Sequence, residues 1–124
     1  MGHIETSTAS ILVVDDEKLI RWSLREKLEQ AGYSVVLADS GQQLLENLDE
    51  RVAIVLLDLK LPDMGGLELC HEIRRRCPKC RVIMMTAQWT PELATEAIES
   101  GAFDVLQKPF NLDDMTKVVE HALA

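Results

Sequence analysis

The segment VAIVLLD, residues 52–58, contains the longest purely apolar run in the chain and ends in an aspartate. Its apolar residues do not alternate with polar ones, which is typical of a parallel strand covered by helices on both faces. Shorter apolar runs occur at residues 11–14, 35–38 and 82–85, and a weaker one lies around Val105 and Leu106. With residues 53–57 as the third strand, these runs predict an α/β fold. That fold is a flavodoxin-like (βα)₅ doubly wound parallel sheet of five strands in the order 2-1-3-4-5.

Stretches of helical period separate the apolar runs and predict five helices. The fourth helix is expected to begin at Thr90-Pro91 and to end at Gly101, and the fifth to begin after the N-cap Asn111. The predicted inner faces are Ile20, Leu24, Leu28 and Ala31; Leu44, Leu45 and Leu48; Leu69, Cys70 and Ile73; Ala94, Ala97 and Ile98; and Met115, Val118, Val119 and Ala122.

Length and composition limit the class of protein. The 124 residues suit one domain, and 47% apolar with 27% charged residues is an ordinary globular composition. We expect residues 1–10 to be a flexible leader or an expression remnant and residues 11–124 to be the domain. A net charge of −8 argues against direct nucleic-acid binding. No run approaches the ~20 residues of a membrane span, and three cysteines make no disulfide framework, so a cytoplasmic chain is expected.

Polar residues follow four of the five predicted strands. Asp15 and Asp16 come after the first strand, Asp58 after the third, Thr86 after the fourth and Lys108 after the fifth. The carboxyl ends of parallel strands share one edge of a sheet, where ligands bind near the reversal of strand order. Three clustered carboxylates with nearby carbonyl groups suit Mg²⁺. Asp58 is then placed as a nucleophile toward a phosphoryl group, with the Thr86 hydroxyl and the Lys108 charge as supporting groups.

Each of these residues also has a purely structural interpretation. Asp15 or Asp16 could cap the first helix, and Asp58 could be a turn residue. Thr86 could be a loop hydroxyl and Lys108 a solvated side chain. Their joint placement at one edge of the sheet favours the functional interpretation.

The motifs that carry these residues are VVDDE at 13–17, LDLKLPDMGG at 57–66, MMTA at 84–87, and GAFD at 101–104 leading to Lys108-Pro109-Phe110. In this order and spacing they resemble the receiver domain of two-component response regulators, from residue 11 to about residue 123. The surroundings of Gly101 and Lys108 are most similar to receivers of bacterial enhancer-binding, NtrC-type transcription activators.

The resemblance implies a role for each site residue. Asp58 would accept a phosphoryl group from a sensor histidine kinase. Asp16, Asp58 and the backbone carbonyl of Lys60 would ligate Mg²⁺, with Asp15 acting largely through water. Thr86 and Lys108 would be the switch hydroxyl and the phosphate-contacting lysine.

The resemblance also implies how the signal leaves the domain. A face made by the fourth helix, fifth strand and fifth helix would control an output domain, with homodimerisation on activation and transcription as the regulated process. Many receivers carry an aromatic residue three positions before the lysine, where this chain has Val105. A coupled aromatic switch is therefore not expected. The family also has a cis peptide bond at the place of Lys108-Pro109.

Other functions remain open from sequence alone. An aspartate-nucleophile phosphohydrolase would carry a second acid where this chain has Lys60, and a flavin module would need a phosphate-cradling loop after the first strand. A receiver-like interaction module could also work without phosphorylation. Cys77 and Cys80 could form a redox pair, or a zinc site with Cys70 and His71. Trp89 faces a partner or covers the fourth helix, whereas Phe103 and Phe110 are expected to pack.

Overall fold

The computed structural model describes residues 9–124 and contains one five-stranded sheet with helices on both faces. Most of the predicted leader, residues 1–8, lies outside the described residues. Ser10 starts the first strand, one residue before the predicted boundary. The elements are β1 (Ser10–Val14), α1 (Lys18–Gln30), β2 (Ser34–Ala38), α2 (Gly41–Asn47), β3 (Val52–Asp58), α3 (Gly66–Arg76), β4 (Arg81–Thr86), α4 (Pro91–Glu99), β5 (Asp104–Gln107) and α5 (Leu112–Leu123).

All strand pairs are parallel, and the sheet order is β2-β1-β3-β4-β5, which confirms the predicted topology. In register, Val14 pairs with Leu57, and Leu57 pairs with Met84, so the carboxyl ends of the central strands lie side by side. The strand side chains alternate between two apolar cores. One core contains Leu57 and Met84 with residues of α2, α3 and α4, and the other contains Leu56 with residues of α1 and α5.

The apolar runs mark the strands but underestimate their length. β3 includes Asp58, and β4 runs from Arg81 to Thr86, so charged and hydroxyl residues extend both strands. A parallel ladder is made by backbone N–H and C=O groups and continues through any residue that can adopt the extended conformation. Asp58 and Thr86 are therefore fixed in the sheet and do not lie on free loops.

The prediction that Ile98 and Ala31 lie on inner helix faces is wrong. Ile98 is 52% exposed, because α4 covers the sheet through the neighbouring Ala97, which is fully buried. Ala31 is exposed and forms the C-cap of α1, so it lies beyond the last buried turn of the helix. The predicted helix starts are confirmed for α4 and α5. Thr90 and Asn111 each accept a backbone hydrogen bond as the N-cap.

Among residues 9–124, no helix combines the length and the apolar character that crossing a membrane requires.

We expect Gly66→Ala to lower the free energy of unfolding by roughly 1–3 kcal/mol. A Cβ atom at Gly66 would lie 2.8 Å from the Cα and 3.0 Å from the carbonyl oxygen of Leu59, and backbone atoms cannot rotate away. Urea denaturation followed by tryptophan fluorescence measures the change.

Gly65→Ala is the matched control for this prediction. A Cβ atom there would meet only the flexible Glu68 side chain, at 3.2 Å, so the loss should stay within about 1 kcal/mol, the cost of replacing glycine by alanine at the N-cap of α3. Equal effects of the two substitutions would contradict a specific contact between Gly66 and Leu59.

Candidate functional site

An acidic group follows β1. Asp15 is fully buried, whereas Asp16 and Glu17 are exposed, and carboxylate oxygens of all three lie within 4.8 Å of one another. The Glu17 amide donates to Asp15 Oδ1 at 2.9 Å, and the Arg21 guanidinium donates to the Asp15 carbonyl at 2.7 Å. Glu17 is the N-cap of α1, and its side chain makes no capping hydrogen bond. Neither Asp15 nor Asp16 therefore occupies the N-cap position, although Asp15 accepts from the amide of the N-cap residue.

Asp58 is the last residue of β3 and is 5% exposed. The Lys60 amide donates to its Oδ1 at 3.1 Å. Burial raises the pKa of the Asp58 carboxyl to about 6, although the Lys60 hydrogen bond and the Lys108 charge oppose the rise. The negative charges of Asp15 and Asp16 raise it further. Asp58 is thus a buried carboxylate whose surroundings carry more negative than positive charge, and it is still mostly ionised at neutral pH.

Lys108 reaches back from the end of β5 into this acidic group. Its Nζ lies 2.7 Å from Asp15 Oδ2, 3.5 Å from Asp58 Oδ2 and 3.8 Å from Glu17 Oε1. Burial lowers the pKa of Lys108, but the hydrogen bond to Asp15 and the surrounding carboxylates outweigh burial and raise it above the ordinary value. The Lys108-Pro109 bond is cis, as the resemblance predicts.

Thr86 ends β4 next to Asp58 and is buried. Its hydroxyl oxygen accepts from the Gln88 amide at 3.0 Å, and its carbonyl accepts from the Lys108 amide at 2.7 Å. Asp16, Asp58, Lys60, Thr86 and Lys108 line one open cleft of about 460 Å³.

Asp15 lies outside the lining of this cleft and contacts the cleft through Lys108. The structure therefore brings the six site residues predicted from sequence to the same edge of the sheet.

A family model described as the response regulator receiver domain matches residues 11–120. The chain belongs to this family. The DNA-binding transcriptional regulator NtrC of Escherichia coli K12 is 40% identical over 92% of this chain, which spans 24% of that relative. The transcriptional regulatory protein ZraR of the same strain is 41% identical, with 92% and 26% covered. The chain thus spans about a quarter of the length of these curated relatives.

The solved structures agree with the family assignment. The BeF3-activated DrrB receiver domain has a TM-score of 0.87 and 34% identity, covering 94% of this chain and 97% of that one. This chain is therefore a receiver domain of a two-component system, with relatives among NtrC-type transcription regulators. Receiver domains are regulatory modules.

The structure adds contacts of the receiver site that the sequence did not predict. Glu17 joins the acidic group, and Arg21 holds the Asp15 backbone from one turn into α1. Asp63 binds two amides of α2 in a different part of the chain. The adjacency of Glu17 to Asp16 was a usable signal, and Arg21 stands four residues after Glu17 on the same helix. No local pattern indicates the partner of Asp63.

The three cysteines do not form the redox or zinc site considered from sequence. Each is a free thiol, Cys70 and Cys80 are buried, and Cys77 is half-buried. Burial raises the pKa of Cys80 to about 12 and of Cys70 to about 11, which is the opposite of a reactive thiol. Within the described chain, the only three His, Cys, Asp or Glu side chains with ligand atoms close enough to share a metal ion are Asp15, Asp16 and Glu17, so no cysteine belongs to such a set. The thiols belong to the apolar core on the side of α3.

Phe103, Val105 and Phe110 are half-buried, whereas Trp89 is exposed. Phe103 and Phe110 are half-buried against the core on the side of α5, as predicted, and Val105 packs against the other core. Trp89 is 42% exposed in the loop after Thr86. This exposure is compatible both with a ring that faces a partner and with one that partly covers the fourth helix.

Proposed function

We propose that this receiver domain is a phosphorylation-controlled switch that takes a phosphoryl group from a sensor histidine kinase onto Asp58 in a Mg²⁺-dependent reaction. The observation that carries the proposal is the position of Asp58. It is a shielded carboxylate at the end of the central strand, 3.5 Å from the Lys108 ammonium and beside an acidic group.

The donor set fits Mg²⁺. The carboxylates of Asp16 and Asp58 and the backbone carbonyl of Lys60 are hard oxygen ligands, and Asp15 would act largely through water. The pKa of Asp58 is raised partly by Asp15 and Asp16, so the cleft holds more negative charge than Lys108 neutralises. Bound Mg²⁺ would supply the missing positive charge, both to these carboxylates and to the oxygens of an incoming phosphoryl group.

The transfer itself needs one nucleophile and fixed positive charge. An Asp58 carboxylate oxygen attacks the phosphorus of a phosphohistidine, the new O–P bond forms, and the N–P bond breaks with release of the imidazole. Lys108 is close enough to contact a phosphoryl oxygen on Asp58, and Thr86 offers its hydroxyl at the adjacent strand end. Hydrolysis of the acyl phosphate by water restores the carboxylate and releases phosphate.

The output is proposed to leave through the face formed by α4, β5 and α5, with homodimerisation on activation. Contacts of Thr86 and Lys108 with the phosphoryl group would differ between the two states, which is what biases such an equilibrium. Val105 has no ring to rotate, so coupling runs through Thr86 and α4. We further propose a cytoplasmic protein whose C-terminal output domain activates transcription, while this acidic domain itself does not bind nucleic acid.

Thr86→Ala is expected to keep phosphorylation of Asp58 but to lose dimerisation that depends on phosphorylation. The substitution removes the hydroxyl and leaves the Thr86 carbonyl bond to the Lys108 amide in place. Sedimentation velocity before and after addition of beryllofluoride measures the dimer. An unchanged dimer fraction in the variant would contradict the switch role of Thr86.

The experiment that tests the proposal is intact-protein mass spectrometry after incubation with Mg²⁺ and acetyl phosphate. We expect one phosphoryl adduct that does not form when EDTA is present during the incubation and is absent in Asp58→Ala. No adduct in the wild-type protein would favour a receiver-like interaction module that works without phosphorylation. Steady turnover of a generic phosphomonoester would instead favour an aspartate-nucleophile phosphohydrolase.

A further inference from the structure

Asp63 connects the loop after β3 to the start of α2. It lies in the loop between β3 and α3, and its Oδ1 and Oδ2 accept hydrogen bonds from the amides of Gly41 and Gln42 at 2.8 and 3.0 Å. These amides begin α2. The two hydrogen bonds hold the pKa of the Asp63 carboxyl below its usual range, so the carboxyl group stays ionised and both hydrogen bonds are charge-assisted.

The same two segments also touch through apolar atoms. A Cβ atom at Gly41 would lie 2.9 Å from Met64 Sδ and 3.1 Å from Met64 Cβ, which shows how closely the start of α2 approaches the loop. Lys60 and Gly65 form an antiparallel bridge, so the loop closes on itself like a small hairpin. Asp63 lies near the tip of this hairpin, and Lys60 lies at its base, in the lining of the cleft.

We propose that Asp63 is a positioning residue that holds the Lys60 carbonyl where Mg²⁺ binds. Anchoring the tip of the hairpin to α2 restricts motion at its base, which carries both that carbonyl and the amide that binds Asp58. The inference rests on the proposed function, because it assumes that the carbonyl is a Mg²⁺ ligand. Groups that orient metal ligands typically change metal affinity by roughly 10–100-fold when they are lost.

The test compares two variants that both weaken the start of α2. Asp63→Ala removes both hydrogen bonds between the loop and α2, whereas Ser40→Ala removes only the N-cap hydrogen bond that the Gln43 amide donates to Ser40 Oγ, 3.1 Å long. Mg²⁺ titration followed by tryptophan fluorescence gives the affinity. Because the Asp63 hydrogen bonds position the Lys60 carbonyl only through the backbone of the loop, we expect about a 3- to 10-fold weaker Mg²⁺ affinity in Asp63→Ala. Ser40→Ala should stay close to wild type.

A second readout needs no metal. Hydrogen exchange of the Lys60 amide in Mg²⁺-free protein should be faster in Asp63→Ala and unchanged in Ser40→Ala. If Asp63→Ala does not fold, Asp63→Asn replaces it. Its amide oxygen can still accept one of the two bonds, so a smaller loss of affinity is expected.

The outcomes separate this inference from the proposed function. Wild-type affinity and wild-type exchange in the Asp63 variant would overturn the positioning role alone. Equal losses in both variants would also overturn it, because a weakened α2 would then explain them. A wild-type protein that does not bind Mg²⁺ would overturn the proposed metal site, and with it the inference.

Discussion

Lys108→Met is expected to lower the free energy of unfolding by about 3 kcal/mol in Mg²⁺-free protein at neutral pH. The ammonium lies 2.7 Å from Asp15 and 3.5 Å from Asp58, and these carboxylates are 0% and 5% exposed. Without the cation, two buried negative charges face each other with no ion pair to offset their desolvation. Urea denaturation measures the loss as a shift in the midpoint at unchanged slope.

Lys60→Met is the matched control for this prediction. It removes the same charge from the same cleft, but Lys60 is exposed and has no ion pair among residues 9–124. A change within about 0.5 kcal/mol is expected. The Lys108→Met loss should shrink in Mg²⁺, because a bound cation replaces the ammonium, and also toward pH 4, where Asp58 takes up a proton. A loss of the same size under all these conditions would indicate a packing effect.

Asp58→Asn is expected to raise the free energy of unfolding of the Mg²⁺-free protein by on the order of 2 kcal/mol at pH 7 to 8. The pKa of Asp58 is about 6 in the folded protein and 3.8 ordinarily, so the folded state binds this proton more tightly. The contribution of this bound proton to wild-type stability is therefore fully present below about pH 4, and it is lost as the pH rises through 6. Asparagine remains neutral and keeps an oxygen that can accept from the Lys60 amide.

The gain should consequently disappear near pH 4, where the wild-type carboxyl is also neutral. Asp114→Asn is a suitable control, because Asp114 is exposed in the first turn of α5 and does not line the cleft. Its effect should be small and should not follow the pH profile of Asp58. A loss of stability in Asp58→Asn at pH 8 would contradict the crowding of negative charge at this site.

The fold could be predicted because four of the five strands contain a continuous apolar run and each helix has a periodic apolar face. The errors occur where tertiary context decides the outcome. Ile98 has the correct helical spacing, but α4 packs through the small Ala97 and leaves Ile98 largely exposed. Asp58 and Thr86 stand at the edges of apolar runs, and only the ladder shows that they belong to the strands.

The site could be predicted in part for a related reason. Asp58 and Thr86 end their strands and Lys108 directly follows β5, so the topology alone brings them to one edge. The contacts that orient them involve backbone groups, and a sequence pattern does not show these contacts. Asp63 and the amide of Gly41 are 22 residues apart. Neither residue predicts this partner, since the pairing depends on how α2 packs against the loop.

Mapping the phosphoryl group to a single side chain tests whether Asp58 is the residue that accepts it. The Mg²⁺-bound protein is treated with acetyl phosphate, quenched in denaturant, reduced with borohydride and digested for tandem mass spectrometry. Borohydride converts an aspartyl phosphate to homoserine. We expect homoserine at position 58, none when Mg²⁺ is removed, and none at Asp15 or Asp16. An unmodified Asp58, or homoserine at another aspartate, would contradict this expectation.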